Sequence, residues 1–413
     1  MRVEVINTGT ELLLGNVVNT HLKLFAEGLF PLGLRIERQV AVPDGEPIRG
    51  ALAETFGRAE IVLVTGGLGP TTDDVTRDIT ASLLGLELIH DEEIMRVITA
   101  RFSRRNLKMS DRNRLQALRP REATVLHNPN GTAPGLYLPA IPARNSPHLF
   151  LLPGPPRELR PMFDDTVLPI IENLLPPRPR VEMRTWRIAS LGESRVEELV
   201  GPALLALDLE LGYCARPGEV DLRTIGAPEI LDRAREIIVQ GLGPHIVTDD
   251  QRSLEQVVVE SLTQRGEAIA TAESCTGGFL ANRITNVPGA SAVFLGGFVT
   301  YANEAKTRAL GVEPSALREH GAVSEVVARA MAEGARRVTG ADHALATTGL
   351  AGPGGGSDEK PVGTVFIALA TKLGETIVQR QRYVSDRETF KFLTTQTALD
   401  LLRRRIAGLP AGS

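Results

Sequence analysis

Apolar and polar positions in the N-terminal part of this chain follow a regular strand–helix order. The pattern predicts strands at 2–7, 35–41 and 61–64, with helices at about 19–32 and 48–57 between them. Strands that alternate with helices favour an α/β layer around a largely parallel sheet. In such sheets ligands bind beyond the carboxyl ends of the strands.

The loop after the third predicted strand has the composition of a phosphate site. It runs from Thr65 to Asp78 (TGGLGPTTDDVTRD) and contains Gly66, Gly67 and Gly69. Glycines let backbone amides approach a phosphate closely, and the N-terminus of the following helix favours an anion. We therefore expect a phosphate to bind at this loop.

Acidic residues lie where that following helix is predicted to begin. Asp73, Asp74 and Asp78 could hold a cation that bridges phosphate oxygens. Thr71, Asp73 and Asp74 are also residue types that cap helices, and capping is the alternative interpretation.

Two later loops belong to the same predicted domain. The turn-rich segment 128–135 contains Asn130. The segment 149–159 predicts a strand, a turn and a helix start, where Glu158 could contact a ribose hydroxyl or cap the helix. The arginine-rich stretch 94–118 is typical of a solvent-exposed helix face. The alternatives are that its charges attract a phosphate ligand or contact a second subunit.

A proline-rich linker is predicted at 175–180, and a small α+β module follows it. Acidic residues outnumber basic ones between Val181 and Asp250, and no Gly-x-x-Gly clamp lies between adjacent helices. We therefore expect no RNA binding, but a spacer and dimerisation element. The predicted order is strand 183–188, helix 194–206, strands 210–214 and 220–225, and helix 230–240.

The C-terminal third contains a candidate nucleophile in the segment Thr271–Gly278 (TAESCTGG). This segment joins a predicted strand at 267–272 to a predicted helix at 279–285. The backbone amides from Cys275 to Gly278 would be unpaired by the helix and would point at a bound group. The arrangement suits Ser274 as a nucleophile beside an oxyanion hole, and an N-cap serine is the alternative.

A lysine and a tyrosine follow the next predicted strand, 293–299. Lys306 falls in the first turns of a helix and Tyr301 precedes that helix, so both can converge on Ser274. A desolvated lysine can act as base for the serine, and a phenol can relay the proton. Only six of the 46 basic residues are lysines, and arginine cannot give up its proton.

These motifs resemble the CinA family (competence/damage-inducible protein A). The resemblance rests on Ala272–Gly278 with Tyr301 and Lys306, on 347–355 (TTGLAGPGG) and on 360–365 (KPVGTV), and it extends over the whole chain. The implied domains are a MoaB/MogA-like three-layer N-terminal domain (1–172), a small α+β KH-like linker domain (173–250) and an α/β C-terminal amidohydrolase domain (251–413).

The resemblance implies two activities. Members of the C-terminal domain family deamidate nicotinamide mononucleotide (NMN), which would make Ser274, Lys306 and Tyr301 catalytic without a cofactor. CinA-type N-terminal domains are associated with metal-dependent hydrolysis of ADP-ribose. The N-terminal site would then use a divalent ion, Mg²⁺ or a transition metal, with a monovalent cation as a further candidate.

The positions that match the family's motifs complete the two candidate sites. Cys275 is a rival to the serine, Thr348 could instead be a turn residue, and Arg387 could pair on the surface with Glu388 or Asp386. The expected oxyanion and substrate residues are Cys275, Thr276, Gly277, Gly278, Thr348, Gly349 and Arg387. The expected nucleotide contacts in the N-terminal domain are Thr10, Glu11, Asp44, Gly66, Gly67, Gly69, Asp74, Asn130 and Glu158.

Composition excludes several classes of protein. The 413 residues suffice for two or three domains, and the net charge of −4 is mild. No apolar run reaches membrane-spanning length and no secretory signal opens the chain, so we expect a cytoplasmic protein. Cys214 and Cys275 cannot form a disulfide framework. We expect a homodimer that binds small nucleotides, and neither a membrane nor nucleic acid as partner.

Three other functions fit parts of the pattern. A short-chain dehydrogenase needs Tyr-x3-Lys on one helix, but the spacing here is one residue longer and no dinucleotide fingerprint follows the first strand. The N-terminal domain could be a pterin or nucleotide adenylyltransferase. A non-catalytic scaffold for DNA uptake or recombination is the third, although the charge pattern contains no nucleic-acid surface.

Overall fold

The computed structural model describes residues 1–177 and 181–411. The chain forms two compact units that divide between residues 180 and 181. The predicted linker 175–180 is described only as far as Pro177, and the rest of it lies outside the described residues. The second unit contains both the middle module (residues 181–250) and the C-terminal domain (residues 251–411).

The first unit is built from eight strands and seven α-helices among its described residues. The strands are β1 (Val3–Thr8), β2 (Ile36–Val42), β3 (Ile61–Thr65), β4 (Leu88–His90), β5 (Leu118–Pro120), β6 (Thr124–Leu126), β7 (Gly135–Leu138) and β8 (His148–Leu152). The helices are α1 (Thr10–Leu13), α2 (His21–Leu29), α3 (Pro47–Thr55), α4 (Thr76–Leu84), α5 (Glu92–Arg104), α6 (Pro156–Met162) and α7 (Leu168–Leu174).

The main sheet of this unit has helices on both faces. Its order is β2-β1-β3-β8-β7-β6, in which the first four strands are parallel and the last two antiparallel. Successive side chains of a strand point to opposite faces. Val5 and Leu63 therefore pack with the α2 and α6 side, whereas Ile6 and Val64 pack with α3 and α4. The predicted three-layer α/β domain is confirmed.

The middle module is a four-stranded antiparallel sheet with two helices. The sheet order is β10-β11-β9-β12, and its last strand is one that the sequence pattern did not predict. The elements are β9 (Glu182–Ala189), α8 (Glu193–Leu205), β10 (Glu210–Arg216), β11 (Glu219–Gly226), α9 (Pro228–Leu242) and β12 (Ile246–Thr248).

The C-terminal domain contains a five-stranded sheet of order β14-β13-β15-β16-β17, in which the first three strands are parallel. Its strands are β13 (Ile269–Glu273), β14 (Phe294–Val299), β15 (His343–Gly349), β16 (Thr364–Thr371) and β17 (Ile377–Arg382). Its helices are α10 (Leu254–Arg265), α11 (Phe279–Thr285), α12 (Asn303–Leu310), α13 (Pro314–His320), α14 (Glu325–Thr339) and α15 (Arg387–Ile406).

The two faces of this sheet differ in side-chain size. One face presents large residues such as Leu345 and Ile367 to α10, α11 and α15. The other face presents the small side chains of alanines, which let α14 lie close to the sheet. These buried alanines are Ala270, Ala272, Ala344, Ala346, Ala368 and Ala370.

The end of α15 attaches the C-terminal domain to the middle module through buried charges. Asp400 accepts hydrogen bonds from Arg403 (2.7 Å), Arg404 (2.8 Å) and Ser190, the residue after β9 (2.9 Å). Arg403 also donates to two backbone carbonyls near β12. Asp400, Arg403 and Arg404 are each at most 7 % exposed. We call these three residues the α15 ion cluster.

Replacement of Asp400 by alanine should strongly destabilise the second unit. The two guanidinium groups would stay buried without a carboxylate, at a cost of about 3–5 kcal/mol. Urea unfolding followed by the fluorescence of the single tryptophan, Trp186, reports on this unit because that residue is buried in β9. The control is Asp232→Ala, whose side chain is 70 % exposed in its pair with Arg184; it should cost at most about 1 kcal/mol. Equal losses in the two variants would contradict the prediction.

Candidate active site

Three parallel strands of the C-terminal domain end at one edge of the sheet, and the candidate catalytic residues follow them. Ser274 comes directly after β13, and its amide continues the strand pairing by donating to the carbonyl of Thr347 in β15 (2.9 Å). On the other side, the amide of Thr300, after β14, donates to the carbonyl of Glu273 (2.8 Å). The segments after the three strands are therefore held side by side.

The amine of Lys306 lies next to the hydroxyl of Ser274. Its Nζ lies 3.2 Å from the Ser274 hydroxyl and donates to the carbonyls of Thr300 (2.7 Å) and Tyr301 (3.3 Å). The side chain is fully buried, and this burial lowers the pKa of Lys306 below its usual value. A neutral amine has two N–H groups and one lone pair. The two carbonyls take the N–H groups, which leaves the lone pair for the hydroxyl proton.

Cys275, the rival nucleophile, is poorly suited to attack. Its side chain is buried, and this burial raises the pKa of the thiol to about 12. The thiolate is the nucleophilic form of cysteine, so almost none would be reactive near neutral pH. Ser274 is half-buried and keeps the base beside it.

The four predicted oxyanion amides are not equivalent, and the prediction is wrong for two of them. The buried carboxylate of Glu273 accepts hydrogen bonds from the Gly278 amide (3.0 Å) and the Thr276 hydroxyl (2.6 Å). It also accepts from the first amides of α11. The Gly277 amide donates back to the carbonyl of Ser274 (3.2 Å). Gly277 and Gly278 are therefore engaged within the loop.

The amides of Cys275 and Thr276 remain for a bound oxygen. Neither donates a hydrogen bond to another residue in the described part of the chain. The interpretation of Ser274 as a helix cap is also wrong, because the N-cap of α11 is Gly278, four residues later.

Thr348 and Gly349 have structural contacts. The Thr348 hydroxyl is buried and donates to the carbonyl of Ala322 (2.7 Å), so the predicted contact with a phosphate or an oxyanion is not formed by this geometry. A Cβ atom at Gly349 would approach the carbonyl oxygen of Thr364 to 2.8 Å. A glycine is therefore required there by sheet packing.

Arg387 lies at the start of α15 and joins two sides of the site. Its guanidinium donates to the Tyr301 hydroxyl (3.1 Å) and to the carbonyl of Gly352 (3.1 Å). Tyr301 is 63 % exposed and its hydroxyl accepts from Arg387, and its role as a proton relay stays a prediction. The alternative surface pair of Arg387 is not seen, because Asp386 instead caps the helix.

Lys391 is a site residue that the sequence reasoning missed. It lies one turn after Arg387 on α15, and its Nζ is 3.9 Å from where a Cβ atom of Gly277 would stand. It also lies 5.8 Å from the centre of the Phe279 ring. Its i+4 spacing from Arg387 was the available signal, since residues four apart share a helix face.

The first unit contains a cleft of about 380 Å³ at the carboxyl ends of its parallel strands. We call it the acidic cleft, because five carboxylate residues line it and no lysine, arginine or histidine does. The carboxylates are Glu11, Asp44, Asp73, Asp74 and Glu158, and predicted Gly66, Gly67 and Gly69 also line it.

Two of the lining glycines are required by the backbone. Gly66 has φ 99° and Gly67 has φ 67°, in the left-handed region that favours glycine. A Cβ atom at Gly66 would lie 2.5 Å from the carbonyl oxygen of Thr8. The loop therefore brings bare backbone to the cleft wall.

Three predicted residues of the N-terminal site lie outside the cleft lining. Thr10 donates through its amide and hydroxyl to Asp44 (3.0 and 3.2 Å). Asn130 donates to the carbonyl of Arg157 (2.8 Å) and so fastens its own loop. Asp78 pairs with Arg77 (2.6 Å). These contacts lie within the unit, and the ligand roles of Thr10 and Asn130 and the metal role of Asp78 stay predictions.

Asp73, Asp74 and Glu158 line the acidic cleft. Asp74 accepts hydrogen bonds from both the amide (2.8 Å) and the hydroxyl (2.5 Å) of Thr71, and Asp73 lines the cleft beside it. Glu158 does not cap α6 but accepts from the Asn128 side chain (2.9 Å). No group of three or more His, Cys, Asp or Glu side chains in the described part is disposed to hold a metal ion alone.

Family models match two parts of the chain. Residues 251–406 match the CinA C-terminal domain, and residues 4–173 match the probable molybdopterin binding domain. A CinA-like protein of Akkermansia muciniphila is 46 % identical over 97 % of this chain and 96 % of its own. The chain belongs to the CinA family. A putative competence-damage inducible protein of Moorella thermoacetica is 43 % identical over 98 % of this chain and 99 % of its own.

A solved CinA-family structure is similar to part of this chain. The competence/damage inducible protein CihA from Agrobacterium tumefaciens has 44 % sequence identity, covers 36 % of this chain and 91 % of its own, and gives a TM-score of 0.36. The relatives' names state no reaction. In this chain, no helix among the described residues is long and apolar enough to cross a membrane.

The two cysteines of this CinA-family chain should differ in reactivity. Cys214 is exposed on β10, whereas the Cys275 thiol is buried with its pKa raised to about 12. A chromogenic disulfide reagent should therefore titrate one thiol in the native protein and two in denaturant. In Cys214→Ser the native count should fall to zero, and rapid reaction of the thiol that remains would contradict the geometry.

Proposed function

We propose that this chain is a bifunctional enzyme of pyridine nucleotide salvage. Its C-terminal domain would deamidate NMN to nicotinate mononucleotide and ammonia, and its first unit would hydrolyse the pyrophosphate of ADP-ribose with a divalent cation. The observation that carries the first activity is the buried Lys306 amine, 3.2 Å from the Ser274 hydroxyl and with a lowered pKa. Serine needs such a base to become a nucleophile.

The first half of the reaction forms an acyl-enzyme. Lys306 Nζ takes the hydroxyl proton while Ser274 Oγ attacks the carboxamide carbon of NMN. The amides of Cys275 and Thr276 donate to the oxyanion that develops. The C–N bond then breaks, and the Lys306 ammonium gives its proton to the departing nitrogen, which leaves as ammonia.

The second half releases the acid. A water molecule gives a proton to Lys306 and attacks the ester carbon, and the bond from carbon to Ser274 Oγ breaks. The proton returns from Lys306 to the serine, so that nicotinate mononucleotide leaves and the enzyme is restored. Lys306 acts as base and acid in turn, and Tyr301, whose hydroxyl accepts from Arg387, would assist the proton transfer.

The phosphate of NMN has cationic partners on α15. Arg387 and Lys391 share one face of the helix near its N-terminus, beside the loop that contains Gly277. A guanidinium offers a planar fork of donors, and an ammonium acts as a point charge. Together they would orient the nucleotide so that its carboxamide faces Ser274.

The second activity is supported by the charge of the acidic cleft. Five carboxylates and no basic side chain line it, so a diphosphate can bind there only with added cations. Mg²⁺ is commonly held by one or two carboxylates together with substrate phosphates, and Asp73 and Asp74 fit that role. A bound cation would polarise the phosphorus–oxygen bonds of the diphosphate. Gly66 and Gly67 would let the phosphates approach the backbone.

A second function for the first unit has one observation in its favour. Residues 4–173 match the probable molybdopterin binding domain, so an adenylyltransferase or pterin-binding module is the alternative. Incubation with nucleoside triphosphate and pterin separates the two, because only the alternative predicts an adenylated product.

Replacement of Ser274 or Lys306 should abolish ammonia release from NMN. Ser274→Ala removes the nucleophile and should lower kcat at least about 1,000-fold. Lys306→Met removes the base and should lower it about 100- to 10,000-fold. Cys275→Ala keeps the backbone amide and should retain activity within about tenfold, as should Lys372→Met, a lysine that is 69 % exposed in its pair with Asp342.

ADP-ribose hydrolysis by the same variants tests the two-site arrangement. It should persist in Ser274→Ala, and an equal loss of both activities would contradict two separate sites. Ammonia release that vanishes in Cys275→Ala but persists in Ser274→Ala would assign the nucleophile to the cysteine.

Replacement of Asp73 should weaken the metal dependence of ADP-ribose hydrolysis. Asp73→Asn removes a carboxylate at the acidic cleft and should raise the Mg²⁺ concentration for half-maximal rate at least about tenfold. The matched control is Asp78→Asn, because Asp78 lies outside the lining and pairs with Arg77. A chelator should stop hydrolysis by the intact protein without affecting NMN deamidation. The same shift in both variants would contradict the assignment.

A further inference from the structure

A second cavity adjoins the acidic cleft in the first unit. Its volume is about 240 Å³, and we call it the side chamber. Helix α5 forms one wall, and β6 with the loop that follows it forms the other. The residues used below are Ile94, Val97, Val125, His127, Thr132 and Pro134.

The partition between the two cavities is thin. Thr132 lines both of them. Gly131 lines the side chamber, and a Cβ atom there would lie 1.7 Å from a carboxylate oxygen of Glu158, which lines the acidic cleft. The two cavities therefore adjoin at the loop that contains Gly131 and Thr132.

The partition is held in place by Asn128. This buried amide donates to Glu158 (2.9 Å) and to the carbonyl of Ala133 (2.7 Å). Its carbonyl oxygen accepts from the amides of Asn130 and Gly131. All the polar atoms of this side chain are thus satisfied, by its own loop and by Glu158 of α6, and these bonds fix the shape of the loop.

The two cavities differ in chemistry. The acidic cleft contains five carboxylates, whereas the side chamber is walled by Ile94, Val97, Val125 and Pro134. Val97 and Val125 remain 39 % and 36 % exposed. A cavity with apolar walls and a few polar groups is the usual form of a small-molecule site. His127 and Glu93 supply ring and carboxylate groups in the lining.

We propose that the side chamber binds the heteroaromatic base of a nucleotide whose phosphates lie in the acidic cleft. The flat faces of the base pack against the valines and the proline, and its polar edge lies near His127 or Glu93. The sugar lies beside Thr132, which lines both cavities. This inference deepens the proposed pyrophosphatase function, on which it rests, by identifying what selects a nucleoside diphosphate over a simple diphosphate.

Binding of AMP and of ribose 5-phosphate to the full-length protein with Mg²⁺, measured by calorimetry, tests the side chamber. These probes share the sugar phosphate and differ in the base. AMP should bind at least about tenfold more tightly to the intact protein, since apolar contacts of this size are worth that factor. Val97→Asp puts a charge in the side chamber and should remove the difference in affinity between the two probes. The affinity for ribose 5-phosphate should stay unchanged within about twofold.

Two further variants make the test specific. Val326→Asp is the matched control, because Val326 lies on α14 of the second unit and is 41 % exposed, as against 39 % for Val97; both affinities should stay unchanged. Val125→Asp changes the opposite wall and should repeat the effect of Val97→Asp, which keeps the test decisive if one variant fails to fold.

The outcomes separate this inference from the proposed activity. Equal affinity of the intact protein for the two probes, binding of neither, or equal weakening of both by the chamber variants would overturn the side chamber. Preference for AMP that is lost in both chamber variants supports it even if the protein does not hydrolyse ADP-ribose, in which case the proposed activity alone fails. Hydrolysis without any preference for AMP would leave the activity and remove the chamber.

Discussion

The C-terminal site depends on the exclusion of water from the amine of Lys306. A lysine in water holds its proton near neutral pH and cannot act as a base. Burial beneath Ser274 favours the neutral form, and two backbone carbonyls fix the direction of the lone pair. Those carbonyls come from the segment after β14, while the serine follows β13. The pairing of the two strands therefore sets the geometry of the base and the nucleophile together.

The acidic cleft of the first unit has the opposite arrangement of charge. It gathers carboxylates around exposed backbone instead of burying a single cation. Such a cleft repels a phosphate until cations arrive, so metal and substrate would bind together. The candidate C-terminal site has the cationic side chains of Arg387 and Lys391 on α15. The two candidate sites thus differ in the sign of the charge that they present.

Much of the fold follows from local signals in the sequence. The bounds of α11 match the predicted 279–285, because apolar periodicity and the residues at helix ends are local properties. The meeting of Ser274 and Lys306 was also predictable, since both follow parallel strands. The role of Glu273 was not, because its carboxylate reaches amides up to eight residues further along the chain, and no local pattern specifies which donors fill it.

Side-chain directions were not predictable in the same way. The positions of Thr348, Tyr301 and Asn130 near their sites were predicted, but not the partners of their polar groups, which are Ala322, Arg387 and Arg157. Each of these partners lies on a segment distant in sequence. A strand pattern predicts where a residue stands, whereas tertiary contacts decide which neighbour its hydroxyl or amide meets.

Helix α15 has a mechanical consequence for this half of the protein. Its 20 residues form a rod of about 30 Å. Arg387 and Lys391 occupy one end, and the α15 ion cluster anchors the other end to the middle module. A close-packed helix moves as one body, so its first turn cannot shift toward a nucleotide while its last turns stay in place. The middle module therefore helps to hold the first turn of α15 in place beside the candidate active site.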